Sequence, residues 1–410
     1  MSYETLARLY HRAPSEVYKK EFMIRSESPS TIKIPLKVRG KDKEQELFVL
    51  VTVEMMNKLC NIYKLNNRFE NYLSILSSAA IEHYKKGCLV EEILKTNEIE
   101  GVRSTRKEIK DVLENKGDKF KRFYGLVKKY SMLMNGVKVP LETVRDIRDL
   151  YDEIVLEEIE ISDYPDGMLF RKEAVNVMSA SQKVIHTGVL PEEKIIVKLN
   201  ELLNFLNYDS CEPLIKIAII HYYFGYIHPF YDGNGRVSRF ISSYLLSEVL
   251  NSAISFKLSI SIRKNIDRYY RGFTDVNNIL SLGDATPFCL MFLDIIEESL
   301  NEGISELEDK IKDIDYYFCI FEQMREDEEI NKKEEDILFI LAQVELFGDG
   351  YMSIQDLIKY MSVGEEKEIS ETTVRKYLKS ILEKEYIQES RKGRKKVYSL
   401  DKRFTNEDFS

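Results

Sequence analysis

The chain has 410 residues, 44% of them hydrophobic and 31% charged, with a formal net charge of −9. At ~150 residues per domain this length predicts two or three domains, and the composition excludes a disordered tail protein. No apolar run reaches the ~18–20 residues of a spanning helix, the Met1–Arg8 start lacks the apolar region of a secretory signal, and the net charge argues against wholesale nucleic-acid coating while leaving room for a local basic face.

The elements follow in chain order. Residues 1–55 read as an irregular start followed by a β-hairpin. Thr31 to Val38 alternates apolar and polar, Gly40 to Lys43 forms a turn, and Glu46 to Val53 is a second β-rich run, so a hairpin is expected, with Pro35 marking an edge strand. From about residue 56 the period becomes helical. Leu73, Leu76, Ala80, Ile81 and Tyr84 share one stripe, and Val90, Ile93 and Leu94 start a further helix. Residues 119–134 and 141–157 read as helices separated by Pro140. The stretch 160–190 is irregular, with Val175, Val177, Val184 and Ile185 suggesting a short hairpin or flap. Helices then begin at Pro191 and Pro213 and continue at 236–250, 262–279 and 286–302. Residues 294–329 are crowded with acids and read as a solvated helix and linker. The expected divisions are 1–118, 119–303, 304–330 and 331–410. The five cysteines, Cys60, Cys88, Cys211, Cys289 and Cys319, have no metal-ligand spacing and are expected to be reduced core residues of a cytoplasmic protein.

One segment carries chemistry: His228-Pro229-Phe230-Tyr231-Asp232-Gly233-Asn234-Gly235-Arg236-Val237-Ser238-Arg239. An apolar helix ends near Gly225 and puts His228 at a loop entrance. Gly233 and Gly235 permit positive φ and close backbone approach to a ligand. A helix starts immediately after, and its first N–H groups form an anion cradle. Arg236 and Arg239, three apart, can project toward one ligand, and arginine grips phosphate oxygens in pairs. Asp232 is a hard oxygen ligand suited to Mg²⁺, which takes one or two carboxylates together with substrate phosphates. His228 is a base that ordinarily titrates near neutrality. A lone Asp-Gly-Asn-Gly turn would be ordinary surface structure. The whole string assembles a base, a metal carboxylate and a phosphate cradle.

This string matches the pattern HxFx(D/E)GNGRxxR at every fixed position and resembles the Fic (filamentation induced by cAMP) family of AMP transferases. The resemblance implies a mainly α fold: a helical core with a β-hairpin flap over the site. It implies that His228 takes the proton of a target hydroxyl and that Asp232 holds Mg²⁺ on ATP. Gly233, Asn234 and Gly235 would form the anion hole, with Arg236 and Arg239 on the phosphates and Arg239 nearer the γ-phosphate. Tyr269, Tyr270 and Asn277, within a stretch running on to Gly283-Asp284 and Pro287-Phe288, would contact adenosine, although a tyrosine pair on a helix is by itself usually core. Residues 181–186, with Val184 and Ile185 lining the nucleotide site, would be the flap that pins the target by strand-like pairing. His186 and His221 read as ordinary polar or core residues.

Upstream, Thr96-Asn97-Glu98-Ile99-Glu100-Gly101 resembles the family's inhibitory pattern (S/T)xxxE(G/N). Glu100 would then pair with Arg239 and occupy the space that the γ-phosphate needs. The resemblance also admits removal of AMP by the same glutamate. It covers residues 90–300.

Residues 331–403 resemble a winged-helix module. Ile337, Leu338, Ile340 and Leu341 would build its first helix, Ile354, Leu357 and Ile358 its second, and Val374, Leu378, Ile381 and Leu382 its recognition helix. From Arg375 to Arg403 there are 11 lysines and arginines against 4 acids, with Lys392, Arg394 and Lys395 at the wing. DNA, a docked protein or a homodimer each fits such a surface.

The expected activity is transfer of AMP from Mg²⁺-ATP to a Ser, Thr or Tyr hydroxyl of a protein target or of the chain itself, without a membrane. The within-family alternatives are phosphoryl transfer and another nucleotide donor. The alternative from another class is a DNA-binding regulator with the Fic core as nucleotide sensor.

Overall fold

The computed structural model describes residues 3–114, 121–178, 184–207, 211–363, 367–393 and 395–404. Flap residues 181–183 and wing residue Arg394 therefore lie outside the described residues, as does the side chain of Ile185. The elements in order are α1 (Leu6–Arg12), α2 (Ser15–Ser26), β1 (Thr31–Val38), β2 (Gln45–Leu50), α3 (Val53–Ser74), α4 (Ser78–Ile99), α5 (Arg106–Glu114), α6 (Tyr124–Met134) and α7 (Val144–Ile154). They continue with β3 (Asn176–Met178), β4 (Val184–Thr187), α8 (Glu192–Leu206), α9 (Pro213–Ile227), α10 (Asn234–Ser247), α11 (Ser252–Ser255), α12 (Leu258–Lys264), α13 (Ile266–Asn277) and α14 (Thr286–Glu326). The last elements are α15 (Lys332–Phe347), β5 (Met352–Ser353), α16 (Ile354–Met361), α17 (Glu371–Glu383), β6 (Ile387–Lys392) and β7 (Lys395–Leu400). The protein is mainly α, and no described helix is long and apolar enough to cross a membrane.

Two compact units emerge: residues 1–66 with 89–301, and residues 67–88 with 302–410. In the first, α9 is the central helix and packs against α8, α10 and α13. Its side chains are buried on nearly every face, so it shows apolar content without amphipathic period. Pro213 occupies its first turn, where the missing N–H costs nothing, and the Glu212 carboxylate accepts from the Ile215 N–H as cap.

The β1–β2 hairpin forms with antiparallel register Thr31↔Leu50 to Val38↔Gln45, and the register shifts between Ile34 and Lys37, around Pro35. Proline has no N–H for the ladder, so an irregularity there is expected. Ile34, Leu36 and Val38 face inward. Lys198 Nζ and Tyr223 Oη donate to the Lys37 carbonyl (3.0 and 2.9 Å), which fastens the hairpin to α8 and α9. Its other strand meets the chain after α13: Phe48 N–H donates to Gly283 O and Ala285 N–H to Phe48 O, both at 2.9 Å.

Several expectations change. The start of the chain is helical, not irregular: α1 is capped by Thr5, and Leu6, Leu9 and Tyr18 bury against Phe48. Those contacts are long-range, so the local sequence does not signal them. Val90, Ile93 and Leu94 lie within α4 and do not start a new helix, while Leu73 and Tyr84 fall on either side of the break between α3 and α4. The helix expected at 262–279 is interrupted at Asn265, and the one at 286–302 continues to Glu326. Cys60 and Cys319 are exposed, whereas Cys88, Cys211 and Cys289 are buried, so only three of the five belong to the interior. All five carry free thiols.

The second unit holds α15, β5, α16, α17, β6 and β7, with the sheet in the order β5-β7-β6. The elements of this unit run helix–strand–helix–helix–strand–strand. Ile337, Leu338, Leu341, Leu357, Val374, Leu378 and Ile381 are its buried core, with Ile340 and Leu382 packed at the margin. Asn331 and Glu334 form a capping box at the start of α15.

Candidate active site

The 228–239 segment links α9 to α10. His228 ends α9 in the left-handed region (φ 52°, ψ 63°), and its N–H donates to Phe224 O at 2.9 Å. Phe230 is fully buried and stacks on Tyr151, with ring centroids 3.6 Å apart. Asn234 braces the loop from within: its Oδ1 accepts from the Phe230 N–H (2.9 Å) and its Nδ2 donates to Phe230 O (2.8 Å). Gly233, at φ 78°, is the N-cap of α10, and no side chain caps that end. A side chain there would also strike Val155. The first-turn N–H groups of α10 have no intrahelical acceptor, which leaves a site of positive potential at the loop.

Asp232 stands beside that helix end with its side chain about half exposed (46%). Its Oδ1 accepts from the Gly233 N–H at 2.6 Å, and Arg236 Nη2 lies 3.4 Å from its Oδ2. Arg236 is itself buried, and Nη1 donates to Glu158 Oε2 at 3.0 Å. Glu158 sits in a short 3₁₀ turn after α7, and burial raises its carboxyl to about 7 against the opposing pull of Arg236.

Arg239 is buried and turned toward α4. Its Nε donates to Thr96 Oγ1 (2.7 Å), and its Nη2 to Thr96 O (3.0 Å) and Glu100 Oε1 (2.7 Å). The same Glu100 oxygen would lie 2.1 Å from a Cβ at Gly235, so glycine is what lets the carboxylate approach the start of α10. The end of α4 and the turn after it thus present Glu92, Thr96 and Glu100 at four-residue spacing. Glu92 is fully buried and accepts from the Ser259 N–H at 2.8 Å and from the Ser259 hydroxyl. Burial raises its carboxyl to about 7.

The imidazole of His228 is pushed down to about 4, first by burial and next by the Arg171 guanidinium, with Glu100 pulling the other way. The ring is therefore neutral and able to accept a proton at neutral pH. His221 is a core residue: Nδ1 is 2.7 Å from Ser242 Oγ, Nε2 is 2.7 Å from Tyr269 Oη, and burial with Arg239 nearby pushes it to about 3. His186 stacks on Tyr226 and meets the Tyr226 carbonyl at 2.7 Å.

The structure brings Thr96, Glu100, Gly235 and Arg239 together, with Tyr269 and Tyr270 in the electrostatic neighbourhood of Arg239. It brings Asp232 to Arg236, although the two arginines turn to different partners: Arg236 to Glu158 and Arg239 to α4. Asn277 accepts from the Tyr222 hydroxyl at 2.7 Å. Val184 is exposed on β4, which pairs with β3 through Val177↔His186. Three residues at the site give little sequence signal. Glu158 lies in a run of acids, Arg171 is one basic residue among 60, and Glu92 is half of a Glu-Glu pair. For Glu92 alone a signal existed, the four-residue register with Thr96 and Glu100.

The donor set fits a magnesium ion held mainly by substrate. Asp232 offers one accessible carboxylate beside an anion-receptive helix end, and the described residues contain no cluster of three or more His, Cys, Asp or Glu that could hold a metal alone.

Comparison with known proteins gives a consistent result over this region. Residues 141–246 match the Fic/DOC family. A protein adenylyltransferase Fic from Drosophila ananassae is 27% identical over 238 residues, covering 55% of this chain and 44% of the relative. One from Drosophila erecta is 26% identical over 236 residues, with the same coverage. The chain thus spans less than half the length of the curated relatives it matches. A Fic family protein from Desulfovibrio desulfuricans G20 superposes with a TM-score of 0.48 at 19% identity, covering 83% of this chain and 95% of that one. The matched region contains the whole loop from His228 to Arg239, so the likeness to the Fic/DOC family falls on the segment that carries the site.

Proposed function

We propose that the chain transfers AMP from Mg²⁺-ATP to a Ser, Thr or Tyr hydroxyl of a protein, itself included, and that Glu100 restrains this activity. In this reading the neutral His228 accepts the hydroxyl proton as the new oxygen–Pα bond forms. The bond from Pα to the bridging oxygen breaks and pyrophosphate leaves. The α10 N-terminus and Arg236 receive phosphate oxygens, and their work is positioning and charge stabilisation. Magnesium, with Asp232 as its protein ligand, would neutralise phosphate charge.

The observation that carries the proposal is the ion pair of Arg239 with Glu100 at 2.7 Å, beside Gly235 at the mouth of the cradle. An arginine available to a terminal phosphate is already occupied by a carboxylate. Two anions cannot share that space without repulsion, so triphosphate binds unproductively until Glu100 moves. A carboxylate at this place also has the chemistry to orient a water for removal of AMP.

The test is mass spectrometry of the protein incubated with Mg²⁺-ATP, wild type against Glu100→Gly. Self-modification by one AMP is expected to rise on the order of tenfold or more, a barrier change of ~1.4 kcal/mol or above. Equal labelling of the two proteins would remove Glu100 from the role of brake, and no AMP adduct on either would count against adenylyl transfer.

A second reading is favoured by the C-terminal module. Helix α17 and the β6–β7 hairpin carry the excess of basic residues, and Lys376, Arg391 and Lys392 are exposed. Contact with duplex phosphates by this unit is compatible with the first reading.

A further inference from the structure

Arg171 lies outside the 228–239 loop, yet its side chain is wholly buried. Among the described residues it pairs with no carboxylate. Its guanidinium donates instead to main-chain carbonyls: Nε to His228 O (2.8 Å), Nη1 to Glu173 O (2.7 Å), and Nη2 to Val189 O (3.0 Å) and Ile227 O (3.4 Å). Its own N–H donates to Pro229 O at 3.3 Å. These acceptors belong to three segments: the end of α9 with its cap, the chain entering β3, and the chain leaving β4.

Burying a guanidinium without a counter-charge is costly, and carbonyl dipoles must satisfy it. A role limited to filling space would be met by an apolar side chain. What the fork acquires is geometry, because arginine presents its donors in one rigid plane. His228 is in the left-handed region (φ 52°), where a side chain crowds the following carbonyl and non-glycine residues are disfavoured. Such a conformation persists only when its surroundings over-determine it. The His228 carbonyl, held by Nε, is one such restraint. Gly188 leaves room for the arrangement: a Cβ there would come within 2.2 Å of Nη2 and 3.1 Å of His228 Cβ.

We propose that Arg171 is a positioning residue that locks the His228 backbone and both ends of the β3–β4 flap into one unit. It rests on the reading of His228 as base. The fork holds the imidazole at one place relative to the flap, so an incoming hydroxyl segment and the base meet in fixed register. The charged and titratable groups facing His228 are Arg171, Glu100 and His186.

The test uses the full chain carrying Glu100→Gly, with Arg171→Lys, Arg171→Gln and Gly188→Ala added singly. In each, self-AMPylation at saturating Mg²⁺-ATP is expected to fall about tenfold to a hundredfold, the cost of misplacing a reacting group by an ångström. The ATP concentration at half-saturation should change less than about twofold, because the cradle on α10 is untouched. Titration of the His228 ring by NMR, assigned by its loss in His228→Ala, should move upward in Arg171→Gln and remain near the parent in Arg171→Lys. Gly188→Ala retains Arg171 and strikes the fork at 2.2 Å, harder than it crowds His228 Cβ at 3.1 Å, so it tests the lock if the Arg171 variants do not fold. A residue that only supports the fold would lower the melting temperature and leave the rate per folded molecule and the His228 titration unchanged, and that result would overturn the proposal. Retained transfer in His228→Ala would instead remove the base assignment on which it rests.

Discussion

At the residue scale the site is defined by where each buried charge finds its partner. Arg239 is held by two acceptors of Thr96 and one of Glu100, within about one turn of α4. Arg236, one helical turn away, is held by Glu158. His228 has no charged partner at hydrogen-bond distance among the described contacts, and its neutral form follows from enclosure. In the Glu100→Gly background, His228→Ala is expected to lower AMP transfer by ~10²–10⁴-fold, the range of a positioned proton acceptor, while calorimetry still detects ATP binding. The pH dependence has a definite sign. An imidazole held down to about 4 stays unprotonated from pH 8 to pH 6 and takes up its proton only as pH falls toward 4. Initial rates should therefore be level across pH 6–8 as far as this group is concerned. A single-proton loss of rate centred between pH 6 and 7, absent when His228 is replaced, would contradict it.

At the scale of elements, α4 joins the Arg239 site to the rest of the helical packing. Glu92 lies two turns before Glu100 and fastens the helix to the start of α12, where its carboxylate accepts from Ser259. Burial raises that carboxyl to about 7 from an ordinary 4.5. The folded state therefore holds the proton more tightly than the unfolded chain. The contribution is full below 4.5 and is lost as pH rises toward 7. Glu92→Gln keeps an oxygen for the Ser259 N–H and removes the titration. Its melting temperature is expected to fall less between pH 5 and pH 8 than that of wild type, with Glu158 supplying a remaining part of the slope. Parallel melting curves would mean that Glu92 ionises at an ordinary pH. The elements themselves were unevenly legible. β1 and α15–α17 follow patterns of period two or near 3.6 that depend on their own residues. Helices α1 and α2 do not show in the sequence, because their apolar residues make sense only once Phe48 and Leu282 are beside them.

At the scale of the whole molecule, the acidic total hides a basic terminal stretch. Several of its charges are already compensated: Arg375 by Glu371, Lys379 by Glu383 and Lys396 by Glu389. Lys392 lies over the Tyr351 ring. Duplex DNA is therefore expected to bind weakly and with steep salt dependence, and Lys392→Gln with Lys395→Gln to reduce the log–log salt slope by about 1–2. Binding that ignores both salt and these substitutions would exclude phosphate contact by the β6–β7 hairpin. The loop from His228 to Arg239 was legible from the chain alone, because its signal is local: twelve consecutive residues hold a histidine, a carboxylate, two glycines and two arginines whatever surrounds them. The sequence also indicated Glu100, by resemblance. What those side chains touch depends on the packing of distant segments. Arg239 and Glu100 are 139 residues apart, and Arg171 and His228 are 57 apart. A buried charge takes its partner from whichever segment the fold delivers. That is why Arg171, Glu158 and Glu92, unremarkable among the chain's 129 charged residues, become legible only when the helices are packed.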